Sequence, residues 1–276
     1  MKGETVFEPD DLTVIIGERI NPTGRARLAE ELREGKLDKA LSDAAAQAEA
    51  GADYIDVNVG AAGVDEVDLL PRLVQAVAAE TGLPVCVDSA DPAALAAALK
   101  VYDVPQAIVN SVTADDESMD AVLPLVGERG CYVIAMTKDK EGIPATAAER
   151  RAKAERILER ASSFGIPPQR VLVDCLTLPA ATDTDATIVT LGAITEIREK
   201  LGCPVVLGAS NISFGMPERP VLNSIFLGLA VQAGLAAAIV NPLEEDLVLS
   251  IRAADFLTGK DRMGRAYLRY YRARKG

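Results

Sequence analysis

The chain contains no histidine and no tryptophan. Without histidine it can build no Ser-His-Asp triad, no Cys-His dyad, no His-ligated zinc site and no imidazole general acid. Cysteine is sparse: four residues, at positions 86, 131, 175 and 203, with no C-x-x-C pair. Each lies in or beside a short apolar run, so they read as buried, reduced thiols of a cytoplasmic protein. The opening Met1-Lys2-Gly3-Glu4 shows no signal-peptide pattern. Long hydrophobic runs are also missing. The most apolar stretch, 221–240, is interrupted by Asn223, Ser224, Gln232 and Gly234 and reads as a helix followed by a buried strand, not a membrane span. Positive charge is in the minority, 29 Lys and Arg against 41 Asp and Glu, for a net −12 and a pI near 4.7. That balance argues against nonspecific nucleic-acid binding and against anionic membrane surfaces.

What is present is ordinary globular material, with 49% apolar and 25% charged residues over 276 positions. Eight short apolar runs rich in Val and Ile recur along the chain, at 12–16, 54–57, 85–87, 107–109, 131–135, 171–173, 205–207 and 236–240. They show little polar alternation, as parallel strands covered on both faces should. Ala-rich segments of helical period separate them, near 36–50, 65–82, 92–100, 116–129, 146–164, 185–201, 219–234 and 244–257. Several end at a glycine, among them Gly51, Gly82, Gly130, Gly165, Gly202 and Gly234. Eight regular βα units predict a closed (β/α)8 TIM barrel over residues 1–258 rather than a doubly wound sheet. The segment 259–276 differs in composition. From Lys260 onward it carries seven Lys and Arg against one Asp, net +6, which leaves −18 on the rest. Tyr267, Tyr270 and Tyr271 fall at helical spacing with Leu268, and a terminal helix packed on the acidic barrel is the expected arrangement; a docking segment for another protein is the alternative.

The residues just past each run are Gly17-Glu18-Arg19-Ile20-Asn21, Asn58, Asp88-Ser89, Asn110-Ser111, Met136-Thr137-Lys138, Asp174, Gly208-Ala209-Ser210-Asn211 and Asn241. Asn and Asp at any one of these positions would serve as a helix cap or turn former. Their recurrence at nearly every strand end points to the carboxyl-terminal rim, where barrels of this kind carry their chemistry. Lys138 is the only lysine at a strand end, so a Schiff-base enzyme is disfavoured. No glycine run after the seventh and eighth strands suggests a phosphate cradle. Carboxylates accept paired N–H bonds and amides both give and accept. Asp88 and Asn110 on one wall, with Asp174 and Asn211 on the other, therefore suit a flat, nitrogen-rich heterocycle. A magnesium site built from Asp88 and Asp174 is the competing arrangement, though amides outnumber acids in the ring. Asp56, inside the second strand, more plausibly organises interior hydrogen bonds than touches a ligand.

The segment Gly17-Glu18-Arg19-Ile20-Asn21-Pro22-Thr23-Gly24 resembles the opening signature of pterin-binding methyltransferase barrels. So do Asp56-Val57-Asn58-Val59-Gly60, Val87-Asp88-Ser89, Val109-Asn110-Ser111, Met136-Thr137-Lys138 through Gly142-Ile143-Pro144, and Ser210-Asn211-Ile212-Ser213-Phe214-Gly215. In this order, from about residue 12 to 245, they are similar to methyltetrahydrofolate:corrinoid methyltransferases and to the folate domain of cobalamin-dependent methionine synthase. The length matches the stand-alone enzymes. The resemblance implies a barrel of the dihydropteroate-synthase-like type, commonly a homodimer, with methyltetrahydrofolate or tetrahydrofolate as substrate. It implies a cobalamin carried by a separate corrinoid protein, and no bound metal of its own.

By motif position, Asp174 would accept from the pterin ring N–H and 2-amino group, while Asp88 and Asn110 would bind the other polar edge. Gly208 would let the backbone approach the ring, and Asn211 would hydrogen-bond the methyl-bearing nitrogen as the catalytic residue. Glu18, Asn21 and Arg219 also match folate-proximal positions, with Glu18 alternatively pairing Arg19 or Arg25, and Arg219 alternatively just opening its helix. One departure is Cys175, where many relatives have Pro after the aspartate. The implied chemistry is in-line displacement by Co(I), assisted by protonation of the pterin nitrogen from water or a neighbouring carboxyl. Dihydropteroate synthase is a poorer match, because its Arg-x-His segment has no counterpart here. A noncatalytic pterin-binding barrel is the third alternative.

Overall fold

A computed structural model describes residues 7, 8 and 10–274. The opening Met1-Lys2-Gly3-Glu4 and the last two residues of the basic tail lie outside the described residues. The eight strands are β1 Val14–Ile20, β2 Tyr54–Asn58, β3 Val85–Asp88, β4 Ile108–Thr113, β5 Tyr132–Met136, β6 Val171–Asp174, β7 Val205–Gly208 and β8 Ala237–Val240. All pair in parallel in chain order, and β8 returns to β1 to close the barrel. The connecting helices are α1 Ala26–Arg33, α2 Asp38–Glu49, α3 Glu66–Thr81, α4 Pro92–Val101, α5 Asp116–Arg129, α6 Ala147–Ser162, α7 Ala186–Leu201, α8 Arg219–Ala233 and α9 Glu245–Leu257, followed by α10 Arg265–Ala273. Among the described residues no helix is long and apolar enough to cross a membrane. The apolar stretch 221–240 divides into most of α8 and then β8.

Period-two alternation along each strand separates two cores. One set of side chains, including Ile15, Ile55, Val87, Val109, Val133, Val173, Leu207 and Val240, packs outward against the helices. The alternate set, Val14, Ile16, Tyr54, Cys86, Ile108, Tyr132, Ile134, Leu172, Val206 and Ala237, fills the barrel interior. Burying each of the larger aliphatic side chains is worth about 1.5–3 kcal/mol. The floor is closed by Phe7, which is buried against Tyr54 at 5.8 Å and Tyr132 at 5.0 Å between ring centroids.

Local chemistry fixes the helix ends. Asp65 caps α3 by accepting from the Val67 and Asp68 N–H groups at 3.1 and 3.2 Å. Thr146 and Glu149 form a reciprocal capping box on α6. Helix α1 is an element the sequence reading lacks. It is short, and Arg25 before it makes no side-chain cap.

Strand β1 runs four residues beyond the predicted 12–16, so Glu18 stands within the strand rather than after it. Its register shifts between Gly17 and Ile20. At the shift the Arg19 N–H bonds the Gln47 side chain of α2 at 2.8 Å. Gly17 makes room for that amide, since a Cβ there would lie 2.5 Å from Gln47 Oε1.

The basic tail forms α10 against α9. Asp261 caps it by accepting from Ala266 and Tyr267, and Tyr267 stacks on Phe256 with centroids 6.4 Å apart. Lys260 donates to the Leu235 carbonyl at 2.8 Å, and Tyr270 approaches Gly51. Leu235 and Gly51 both lie at the amino-terminal ends of strands, so α10 sits at the end of the barrel opposite Asp88 and Asp174.

Removing the floor aromatic leaves a cavity that the barrel strands cannot collapse to fill. Phe7→Ala is expected to lower the unfolding free energy by about 3–5 kcal/mol, measured by urea denaturation, with the circular-dichroism spectrum of the folded state unchanged.

Candidate active site

The alternation that fills the barrel with apolar side chains carries its last inward position to the carboxyl-terminal mouth. Continuing each interior series by two residues reaches Glu18 on β1, Asp56 and then Asn58 on β2, Asp88 on β3, Asn110 on β4, Met136 on β5, Asp174 on β6 and Gly208 on β7. The polar residues expected just past the strands are therefore mostly the final residues of the strands themselves. Register confirms their adjacency: Asn58 pairs with Asp88, Asp88 with Asn110, and Met136 with Asp174. Asp88 with Asn110 and Asp174 with Gly208 belong to opposite walls, β3–β4 and β6–β7.

Burial dominates the electrostatics of this ring. Desolvation pushes Asp174 up to about 6, against the pull of the Leu176 N–H and of Arg150. Asp88 is likewise pushed up to about 6 by burial, although the Asn58 amide hydrogen-bonds it. Asp56 stands one pleat deeper. Burial, and then the neighbouring Asp88 charge, raise it well above the ordinary carboxyl range. Its Oδ1 accepts from the Asn110 amide at 3.2 Å. Glu18 is pushed up to about 7 by burial, with the Ser210 hydroxyl and Arg19 acting in the other direction. Four carboxyls thus share the mouth, all favouring the protonated form more than they would in water. Among the described residues no group of three or more His, Cys, Asp or Glu has the arrangement to hold a metal ion.

Two arginines hold the loops that carry these groups. Arg150 of α6 is buried. It donates to the Pro144 carbonyl at 3.0 Å, to the Cys175 and Leu176 carbonyls at 2.9 and 2.8 Å, and to Thr190 Oγ1 at 3.2 Å. It thereby fixes the turn after Asp174, in which Leu176 takes a left-handed φ of 63° and its N–H returns to Asp174 Oδ1 at 2.8 Å. Cys175 is buried in that turn, and burial raises its thiol far above the usual range. Its carbonyl is one of the anchors for Arg150.

Arg219, at the start of α8, clamps the 3-10 turn Ala209–Ser213 through the Ser210 carbonyl and Ser213 Oγ, both at 3.0 Å. Asn211 is exposed on that turn and folds back over Gly208, where a Cβ would lie 3.9 Å from its amide nitrogen. Asn21 lies on the loop beyond β1, and its Oδ1 accepts from the Thr23 N–H at 3.0 Å. Asn241 likewise shapes its own turn through Leu243. The structure therefore brings Glu18, Asp88, Asn110, Asp174, Gly208 and Asn211 to one mouth, with Arg219 holding its edge and Asn21 just outside. Beside the ring, a polar cavity of about 760 Å3 opens between Ser89, Ser111, Asp115 and Lys140. Sequence reasoning missed Arg150 and the Ser210 contact to Glu18. Arg150 in an Ala-rich helix carries no signal distinguishing it from its half-buried, ion-paired neighbour Arg151.

A closed parallel barrel with acids and amides lining its carboxyl-terminal mouth defines a class of ligand-binding enzyme scaffold. Residues 17–241 match the pterin binding enzyme family, and the chain belongs to that family. It is 34% identical over 266 residues to a methylcorrinoid:tetrahydrofolate methyltransferase of Eubacterium limosum, covering 95% of this chain and 97% of that protein. It is also 34% identical over 248 residues to methionine synthase of Mycobacterium tuberculosis, of which it spans 21%. In fold it is similar to a dihydropteroate synthase of Xanthomonas albilineans, with a TM-score of 0.66 at 22% identity over 90% of this chain and 94% of that one. The dihydropteroate synthase of Yersinia pestis gives 0.68 at 17% identity over 91% and 95%.

Raised carboxyl values make stability depend on pH in a definite direction. In the unfolded chain Asp titrates near 3.9 and Glu near 4.3. Between about pH 4 and about pH 7 the folded chain therefore holds more protons at Asp88, Asp174 and Glu18, and stability falls as pH rises through that window. Asp139, Glu149 and Glu196, lowered by hydrogen bonds from Lys153, Thr146 and Lys200, act below it. Urea denaturation at pH 4.5 and 7.5 is expected to show that Asp174→Asn removes about 2 kcal/mol of the wild-type difference between the two.

Proposed function

We propose that this chain transfers the N-5 methyl group between methyltetrahydrofolate and the cobalt of a corrinoid held by a separate protein. The observation that carries this reading is the ring of desolvated acids and amides at the open end of the barrel. It occurs in a chain alignable over nearly its whole length with a methylcorrinoid:tetrahydrofolate methyltransferase. The donor set suits a pterin: two buried carboxylates on opposite walls can accept the N–H groups of the ring, and the amides between them can give and take.

In this reading Asp174 accepts the ring N–H and the 2-amino group on its two oxygens, Oδ1 keeping a lone pair beside the Leu176 N–H. Asp88 and Asn110 hold the opposite edge, with Asp56 and Asn58 fixing their orientation. Gly208 presents bare backbone to the ring face. Asn211 reaches the methyl-bearing nitrogen and stabilises its protonated form through the amide carbonyl, which makes the departing group a neutral amine. Arg219 contributes by keeping the Asn211 turn in place, and Asn21 borders the folate from the first loop. The nucleophile in the methyl-accepting direction is Co(I) of the corrinoid substrate, which approaches through the open mouth.

Mixing the protein with methyltetrahydrofolate and chemically reduced cobalamin is expected to form methylcobalamin, followed by absorbance, well above the uncatalysed rate. Asp174→Asn is expected to weaken folate binding by about 30- to 1000-fold, the loss of a desolvated charge-assisted pair, read by equilibrium dialysis. Asn211→Ala is expected to lower the single-turnover rate by about 100-fold with a much smaller change in folate affinity. Tight folate binding without any methylcobalamin would reduce the protein to a pterin-binding barrel.

A further inference from the structure

The reaction proposed above needs a proton at the pterin nitrogen, and this chain has no histidine to supply it. We propose that Glu18 is the acid that delivers this proton, positioned against the Asn211 turn by Ser210. This rests on the methyl-transfer reading and adds to it the proton source.

The geometry separates Glu18 from the other acids of the ring. Asp174 is held by the Leu176 N–H, Asp88 by Asn58, and Asp56 by Asn110. These partners fix them as acceptors on the walls. Glu18 stands on β1, on the side of the mouth shared with β8 and β7. Among the described residues its carboxyl takes a long contact from Ser210 Oγ on Oε1 at 3.4 Å, a donor that leaves the second carboxyl oxygen to carry and give up a proton. Ser210 is the residue before Asn211, and its carbonyl is clamped by Arg219. The same turn thus presents the amide that steadies the protonated nitrogen and touches the carboxyl that protonates it. The Gly17–Gln47 packing that shifts the β1 register sets Glu18 in this position.

The charged groups around Glu18 are Arg19 beside it, Arg219 at the start of α8, Glu244 on the loop after β8 and Asp56 on β2. The two arginines favour its carboxylate and the two acids oppose it. Burial outweighs them all and sets its value at about 7, so that both forms are populated at neutral pH.

The step balances as follows. The Glu18 O–H proton moves to the lone pair of the methyl-bearing nitrogen. The N–CH3 bond then breaks, its electron pair remaining on nitrogen, while the Co(I) electron pair forms the Co–C bond. Tetrahydrofolate leaves as a neutral amine, and the Glu18 carboxylate regains a proton from water at the mouth. In the reverse direction the carboxylate takes the proton from the nitrogen as it is methylated.

The test compares wild type, Glu18→Gln and Glu18→Asp in single-turnover methyl transfer to cob(I)alamin from pH 5.5 to 8.5. Folate affinity is measured separately, and protonation of bound methyltetrahydrofolate is read from the NMR shift of a 13C-labelled methyl group. The wild-type rate is expected to fall with rising pH above about 7. Glu18→Gln is expected to be about 100-fold slower or more, without that falling limb, at a folate affinity within about threefold of wild type. Its methyl resonance should lose the pH-dependent shift, and Glu18→Asp should keep a falling limb at reduced rate. Retention of the wild-type rate and pH profile by Glu18→Gln overturns the proposal, as does a rate loss fully matched by loss of folate binding. Failure of the wild type itself to methylate cobalamin overturns the underlying reading instead.

Discussion

Alternation of side chains along eight parallel strands is the constraint on which the rest of the molecule depends. It sends every second residue inward. The lower inward positions are Val, Ile, Tyr, Cys and Leu, and they make a solid interior. The upper inward positions are mostly Glu, Asp and Asn, with Met136 and Gly208 between them, and they make a mouth. Because the two sets share one register, the acids stand directly on an apolar plug that offers them no water from below. Their raised values are a consequence of the packing beneath them, not of an accumulation of like charge alone. The same packing that stabilises the barrel thus keeps its acids ready to hold or exchange protons near neutrality.

Much of this was legible in the residues. Eight Val- and Ile-rich runs separated by helical segments named the barrel, and Asp88, Asn110 and Asp174 marked its rim. What could not be read were the strand ends and the partners. Composition closed β1 at residue 16 because Gly17-Glu18-Arg19 looks like a loop, whereas the ladder continues through it to Ile20. A polar residue inside a strand is tolerated when it faces the polar ring of the mouth, and no local pattern reports which way it faces. Helix α1 escaped because Pro22, Thr23 and Gly24 signal a turn and the helix that follows has no cap. Arg150 and Ser210 act through tertiary contacts, to Cys175 and Glu18, that no spacing announces.

The site is built on rigid strands but completed by two loops, and each loop has its own arginine. Arg150 ties the β5 connection to the turn after Asp174, and Arg219 ties the β7 turn to the start of α8. Arg150 donates mainly to backbone carbonyls and Arg219 to one carbonyl and one hydroxyl, which fixes the shape of the chain without committing the acids and amides of the ring. Cys175, whose carbonyl is one of the anchors, fits this arrangement. A turn pinned from outside by a guanidinium does not require a proline to stiffen it.

Phe7 has a consequence for the order of events. Among the described residues the barrel interior is packed solid from Phe7 upward, so the mouth is the entrance that both co-substrates of the proposed reaction would share. In that reaction the smaller molecule would lie deeper, so it would have to arrive before the large carrier docks, and the spent folate would leave only after the carrier departs. Traffic through a shared entrance would then make the kinetics sequential by architecture, with undocking of the carrier a gate on every turnover.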